Sequence, residues 1–95
     1  MKGYVIANIE VNDPAGYEAY RSRTADVIAQ YGGRFLVRGG KVEVREGDPS
    51  IARVVVLEFP DMDAARAFYD SPEYQAILPH RTANSNGSLF LVEGA

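Results

Sequence analysis

Few side chains in this 95-residue sequence can move a proton or hold an anion. His80 is the single histidine, which makes it the first choice for a general acid/base or a metal ligand. The alternative is an exposed loop histidine, because no carboxylate stands at a fixed spacing from it. Arg81 follows directly. At the rim of a pocket its guanidinium could grip a carboxylate or an enolate bidentately. It could equally close a structural ion pair with Asp70, Glu73 or a partner-chain carboxylate. Glu58 falls on the mixed face of the most strongly patterned strand, where an inward carboxylate needs a cation. Arg38 is the expected partner if the two strands are neighbours. That pair reads either as a strand-to-strand salt bridge or as a poised general base. Asn8, on the mixed face of the first strand, could orient a ligand carbonyl or bond a neighbouring side chain. Tyr20 and Tyr74 sit at helical spacing, with apolar bodies in a core and hydroxyls reaching its rim.

Other constellations are absent. Ser71 stands before Pro72 as a helix cap, with no Gly-x-Ser-x-Gly elbow around it. Gly32-Gly33 and Gly39-Gly40 are turn chemistry rather than phosphate loops. One histidine, no cysteine and scattered carboxylates leave no metal-ligand spacing, and no cofactor is expected.

The elements that position these residues are legible from periodicity. Tyr4 to Val11 alternates, with Val5, Ala7, Ile9 and Val11 on an apolar face and Tyr4, Ile6, Asn8 and Glu10 on a mixed one. Asp13-Pro14 opens a helix whose stripe is Tyr17, Tyr20, Thr24, Val27, Ile28 and Tyr31, closed by Gly32-Gly33. Arg34 to Arg38 is a short strand. Gly39-Gly40 turns it, and Lys41 to Arg45 is its expected return, a small hairpin arm. Ile51 to Phe59 is a strand with Val55, Leu57 and Phe59 on one face. Asp61 or Asp63 caps the next helix, with Ala65, Phe68 and Tyr69 inward. Ser71-Pro72 starts another that Pro79 is expected to stop, and His80 to Gly87 reads as polar and partly helical at best. Ser88 to Val92 is the last strand.

This order, βαββαβ, predicts one α+β domain over residues 1–95 with a ferredoxin-like antiparallel sheet. Two helices cover only one sheet face. A chain this short buries roughly 60–65% of its unfolded surface, so the other face, with Tyr4, Ile6, Val54 and Val56, predicts a homodimer built as an α/β barrel. Composition is that of a soluble domain, 46% hydrophobic and 24% charged. There is no long apolar run for a membrane span. A net charge of −3 without a basic cluster disfavours nucleic acid. The opening MKGYVIANIEV reads as a strand rather than a signal segment, so the cytoplasm is the expected compartment.

The segments YGGRFLVRGGKVEV, VVVLEFPDMDAARAFYDSPEYQAI and FLVEG together resemble domain-of-unknown-function family 1330, of the dimeric α/β-barrel superfamily. The resemblance covers nearly the whole chain. It implies that Arg38, Arg81, Tyr20 and Tyr74 match family positions and line a barrel pocket. The superfamily includes haem-degrading and quinone-forming monooxygenases, lactone isomerases, dehydratases and stress-response proteins, and fold does not choose among them. Its haem-degrading members use an Asn on the first strand, a helical Trp and a downstream His. Here Trp is absent, Phe68 stands in its place and His80 falls about two residues late, so haem is not expected. The implied function is a cofactor-independent isomerase, lyase or monooxygenase acting on a small carboxylate or carbonyl compound. The alternative is a non-catalytic dimer that binds a small ligand or a protein. The pocket is expected near Tyr20, Arg38, Glu58, Tyr74, His80 and Arg81.

Overall fold

Each helix begins where the sequence supplies a side-chain acceptor for its free amides. In the computed structural model, which describes residues 1–95, the elements run β1 (Gly3–Val11), α1 (Pro14–Gln30), β2 (Arg34–Arg38), β3 (Arg53–Phe59), α2 (Met62–Asp70), α3 (Pro72–Thr82) and β4 (Ser85–Glu93). Asp13 accepts from the amides of Ala15 and Gly16 at 3.1 and 3.2 Å, Asp61 from Ala64 at 2.7 Å, and Ser71 from Tyr74 at 3.0 Å. Pro14 and Pro72 occupy first-turn positions whose missing N–H has no partner to lose.

The strands form one antiparallel sheet in the order β2-β3-β1-β4, which is the ferredoxin-like topology. Alternation divides it cleanly. Val5, Ala7, Ile9, Leu57 and Phe59 are buried beneath the helices with Val27, Ile28, Ala65, Phe68, Tyr74 and Ile77. On the opposite face the register sets Val37 beside Val56, Phe90 beside Ile6 and Val92 beside Tyr4. Nothing covers this side: Phe90 is 50% exposed and Val92 41%. Extents of 35 × 33 × 16 Å describe a two-layer slab, sheet below and helices above. Within one chain β2 and β4 are both sheet edges, so a barrel is not a property of the single chain. No helix is long and apolar enough to cross a membrane.

Two local expectations are corrected. Lys41 to Arg45 does not return as a strand; residues 39–52 are irregular and exposed. A two-stranded arm with no third strand or helix beneath it gains too little burial to offset its chain entropy. Pro79 does not stop α3, which continues to Thr82. The turn beyond the proline is held from outside. Asn84 Nδ2 donates to the His80 carbonyl at 2.8 Å, and the Ser85 hydroxyl and the Asn84 amide both donate to the Arg81 carbonyl. These bonds stabilise a turn whose proline cannot donate. They also make residues 80–82 helical where a polar connection was expected, and β4 starts at Ser85 rather than Ser88.

Candidate functional site

Because α3 runs past Pro79, Tyr74, Ile77 and Arg81 fall on one inward stripe at spacings of three and four. All are buried. The α3–β4 junction is clamped to the start of α1, where the amides of Asn12 and Asp13 donate to the Asn84 carbonyl at 2.8 and 3.2 Å. Gly16 leaves room for the Asn84 side chain at this junction, since a Cβ there would lie 2.3 Å from the Asn84 amide oxygen. The clamp brings Arg81 against Tyr20, its Cζ 5.8 Å from the ring centroid.

The result is a cavity of about 70 Å³ between α1, α3 and the sheet. Its floor is Ala7, Ile9, Val55 and Leu57, and its aromatic wall includes Tyr17, Tyr20, Phe35, Phe68 and Tyr74. The Tyr20 and Tyr74 hydroxyls meet at 2.8 Å. Burial pushes both phenols above the ordinary tyrosine value; for Tyr74 the hydrogen bond from Tyr20 and the nearby Arg81 charge oppose the rise. Both keep their protons at neutral pH.

The charged lining is entirely cationic: Arg21, Arg38, Arg53 and Arg81, with no Asp, Glu or His among the cavity residues. Arg21 bonds Glu18 at 2.8 Å. Arg38, Arg53 and Arg81 enter no salt bridge. Arg81 is only 8% exposed, and its Nε is fully enclosed without a hydrogen-bond partner. A buried cation without a counterion is costly in water-free surroundings. Desolvation works against the Arg81 charge, but the Tyr74 and Tyr20 oxygens outweigh it and hold its pKa above the ordinary value. The cavity therefore presents a permanent positive charge, two phenolic hydroxyls and apolar walls. Such a lining has the chemistry to accept a small organic anion, or an oxygen that becomes anionic.

The sequence-derived candidates divide between the two sheet faces. Tyr20, Arg38, Tyr74 and Arg81 line the cavity together. Arg81 is deep inside it, not at a rim, and pairs with neither Asp70 nor Glu73; Glu73 accepts instead from Tyr31 at 2.8 Å and Gln30 at 3.1 Å. Glu58 is on the other face of β3. Its partner is Arg34 at 3.0 Å, with Tyr4 donating at 3.4 Å, and not Arg38. The register sets Arg34 directly opposite Glu58, and a bulge between Phe35 and Val37 then shifts it by one residue, so that Arg38 opposes Val55. Arg38 thus shares Phe35's helix-facing side and stacks 4.2 Å from its ring centroid. Asn8 is also on the open face. Its amide donates to the Ser50 carbonyl at 2.8 Å and accepts from the Ala52 amide at 2.9 Å, tying down the loop before β3. His80 is exposed and outside the cavity.

Arg53, Arg21 and Tyr17 were not singled out by sequence reasoning. Arg53 carried a usable signal, because alternation from Val55 and Leu57 places it on the helix-facing side. Tyr17 was legible only as a stripe residue, and Arg21 carried no signal of its own. No three His, Cys, Asp or Glu side chains are grouped as a metal site.

Solved structures similar to this chain agree on the fold. A protein of unknown function from Rhodopseudomonas palustris matches with TM-score 0.75 and 18% identity, over 99% of this chain and 82% of the other. SnoaB, a cofactor-independent oxygenase from Streptomyces nogalater, matches with TM-score 0.63 and 23% identity over 99% and 93%. A dimeric ferredoxin-like protein of unknown function from Jannaschia sp. CCS1 matches with TM-score 0.64 and 16% identity over 100% and 99%. No curated protein is significantly similar in sequence. The family described as a domain of unknown function, DUF1330, matches residues 2–95, nearly the whole chain, and the chain belongs to that family.

Proposed function

We propose that this protein is a cofactor-independent enzyme that holds a small carboxylate, enol or phenol in the α1–α3 cavity and stabilises its oxyanion against Arg81. The carrying observation is Arg81 itself, 8% exposed with no counterion and an unpartnered Nε. Isomerisation, elimination and oxygenation of activated carbonyl compounds share an enolate or phenolate intermediate, and a preorganised buried cation lowers the free energy of that species. The phenols of Tyr20 and Tyr74 keep their protons at neutral pH; one hydroxyl donates to the other, and the remaining O–H serves as a donor to the same oxygen. With no resident carboxylate or histidine, the substrate must be acidic enough to ionise under the influence of Arg81. The likeness in fold to SnoaB is in keeping with this reading but carries no residue assignment.

The test uses para-nitrophenol, whose ionisation is visible. In the cavity its pKa should fall by about one unit or more, read as phenolate absorbance at a pH where the free phenol is protonated. In Arg81→Met the shift should vanish. A shift equal in wild type and variant would remove Arg81 from the site.

One observation favours a second reading, a non-catalytic binder of the same anions: the lining holds no base active at neutral pH. Loss of the α-proton of a bound keto acid to deuterated water, followed by NMR, separates the two. Exchange above the solvent rate supports the enzyme; tight binding without exchange supports the binder.

The working unit in this proposal is a homodimer formed through the open sheet face. It is supported by exposed Val37, Phe90 and Val92 and by the dimeric state of the Jannaschia relative.

A further inference from the structure

The arginines of the cavity differ in depth. Arg81 is buried, Arg53 is half-buried, and Arg38 is exposed on the edge strand β2. All three lack a carboxylate partner, in a chain whose net charge is −3. Acidic groups are plentiful elsewhere, so their absence here is local.

The outer two are also held in place. Arg38 sits over the face of Phe35, its Cζ 4.2 Å from the ring centroid, and makes no salt bridge that would occupy its N–H donors. Arg53 crosses Gly39, whose φ of 71° turns the chain away from β2; a Cβ there would lie 2.7 Å from Arg53 Nε. The β2 bulge sets Arg38 opposite Val55, two residues along β3 from Arg53 and on the same face. The two arginines are therefore neighbours on the helix-facing side of the sheet, and both line the cavity with Val55, Phe35 and the more deeply buried Arg81, Tyr20 and Tyr74.

From this arrangement, and resting on the anion-stabilising site proposed above, we infer that the substrate is a small, flat acid with two oxygen-bearing ends: an enol or phenol oxygen directed at Arg81, and a permanent carboxylate held at the mouth by Arg38 and Arg53. A volume of about 70 Å³ is room for roughly five water-sized spheres. An apolar cavity that takes benzene measures about 150 Å³, so this space takes only the enol or phenol end of one unsaturated ring or short conjugated chain, such as a hydroxybenzoate or an enolised keto diacid, and the carboxylate end extends outward toward Arg38 and Arg53.

Two indicator phenols test it: para-nitrophenol, and a hydroxynitrobenzoate with its carboxylate across the ring from the hydroxyl. Wild-type protein should bind the carboxylated probe about tenfold more tightly, the increment of a charge-assisted pair near solvent, and the ratio should shrink as salt rises. In the double variant Arg38→Gln/Arg53→Gln, checked for an unchanged circular dichroism spectrum, the ratio should fall to near one. Equal affinities in wild type overturn the inference, as does a ratio that survives in the double variant. Ionisation of neither probe defeats the underlying site and this inference with it. Ionisation of both with equal affinity defeats only the two-ended substrate.

Discussion

Arg81 and the Tyr20–Tyr74 pair make opposite demands on the molecule, and each has a measurable sign. Arg81 is a desolvated cation whose cost is offset by the Tyr74 and Tyr20 oxygens. Arg81→Met keeps the length and apolar body of the side chain, so thermal unfolding should show a Tm close to wild type, while anion binding is lost. A Tm several degrees lower would mean that Arg81 is structural. Arg81→Ala is a poorer probe, because truncation at a buried position adds a cavity penalty of about 1–3 kcal/mol. For Tyr20 and Tyr74 the folded-state pKa is raised above the unfolded value of about 10. Above that pH the unfolded chain gives up protons that the folded one retains, so stability is full below about pH 10 and declines as pH rises further. Urea midpoints measured from pH 8 to 11 should fall in the alkaline range. The fall should be smaller in Tyr20→Phe, which removes one raised group. A flat profile contradicts the buried pair.

At the scale of elements, two connections decide what the cavity contains. One is the last turn of α3, which survives a proline because Asn84 and Ser85 supply donors from the following chain. The other is the bulge in β2, which moves Arg38 to the face of Phe35. A third connection, the irregular stretch 39–52, is tied by Asn8. Replacing Asn8 with Ala removes both hydrogen bonds to residues 50 and 52. Since this site is partly solvated, the loss should be about 1 kcal/mol. Hydrogen exchange should accelerate across residues 46–52 while the β1–β3 ladder stays protected. A change in anion affinity without faster loop exchange would instead assign Asn8 to binding.

For the molecule as a whole, the thin slab leaves one sheet face to be covered. Val56 sits near the middle of that face, opposite Ile6 and Val37. Burying an unpaired carboxylate there on association costs several kcal/mol, so Val56→Asp should shift light scattering from dimer toward monomer at micromolar concentration. The same substitution lies on the sheet face away from the cavity and does not alter its lining. A wild-type monomer at those concentrations would refute the assembly.

The sequence by itself determined the local grammar of this protein. Alternation assigned the faces of β1 and β3, Asp-Pro and Ser-Pro placed two helix starts, and the order of elements specified the ferredoxin-like sheet, because these features depend on neighbours a few residues apart. Burial at helical spacing also made Tyr20 and Tyr74 legible as core residues. Tertiary structure alone decided the site. Whether Pro79 ended α3 depended on Asn84 and Ser85 folding back, and that settled whether Arg81 stood in a loop or on the stripe of Tyr74 and Ile77. Whether Arg38 stood on the open face or in the cavity depended on one bulged residue in β2, since a one-residue shift exchanges the two faces of a strand. The lack of a counterion at Arg81 is a statement about every neighbour in space, and no window of sequence contains it.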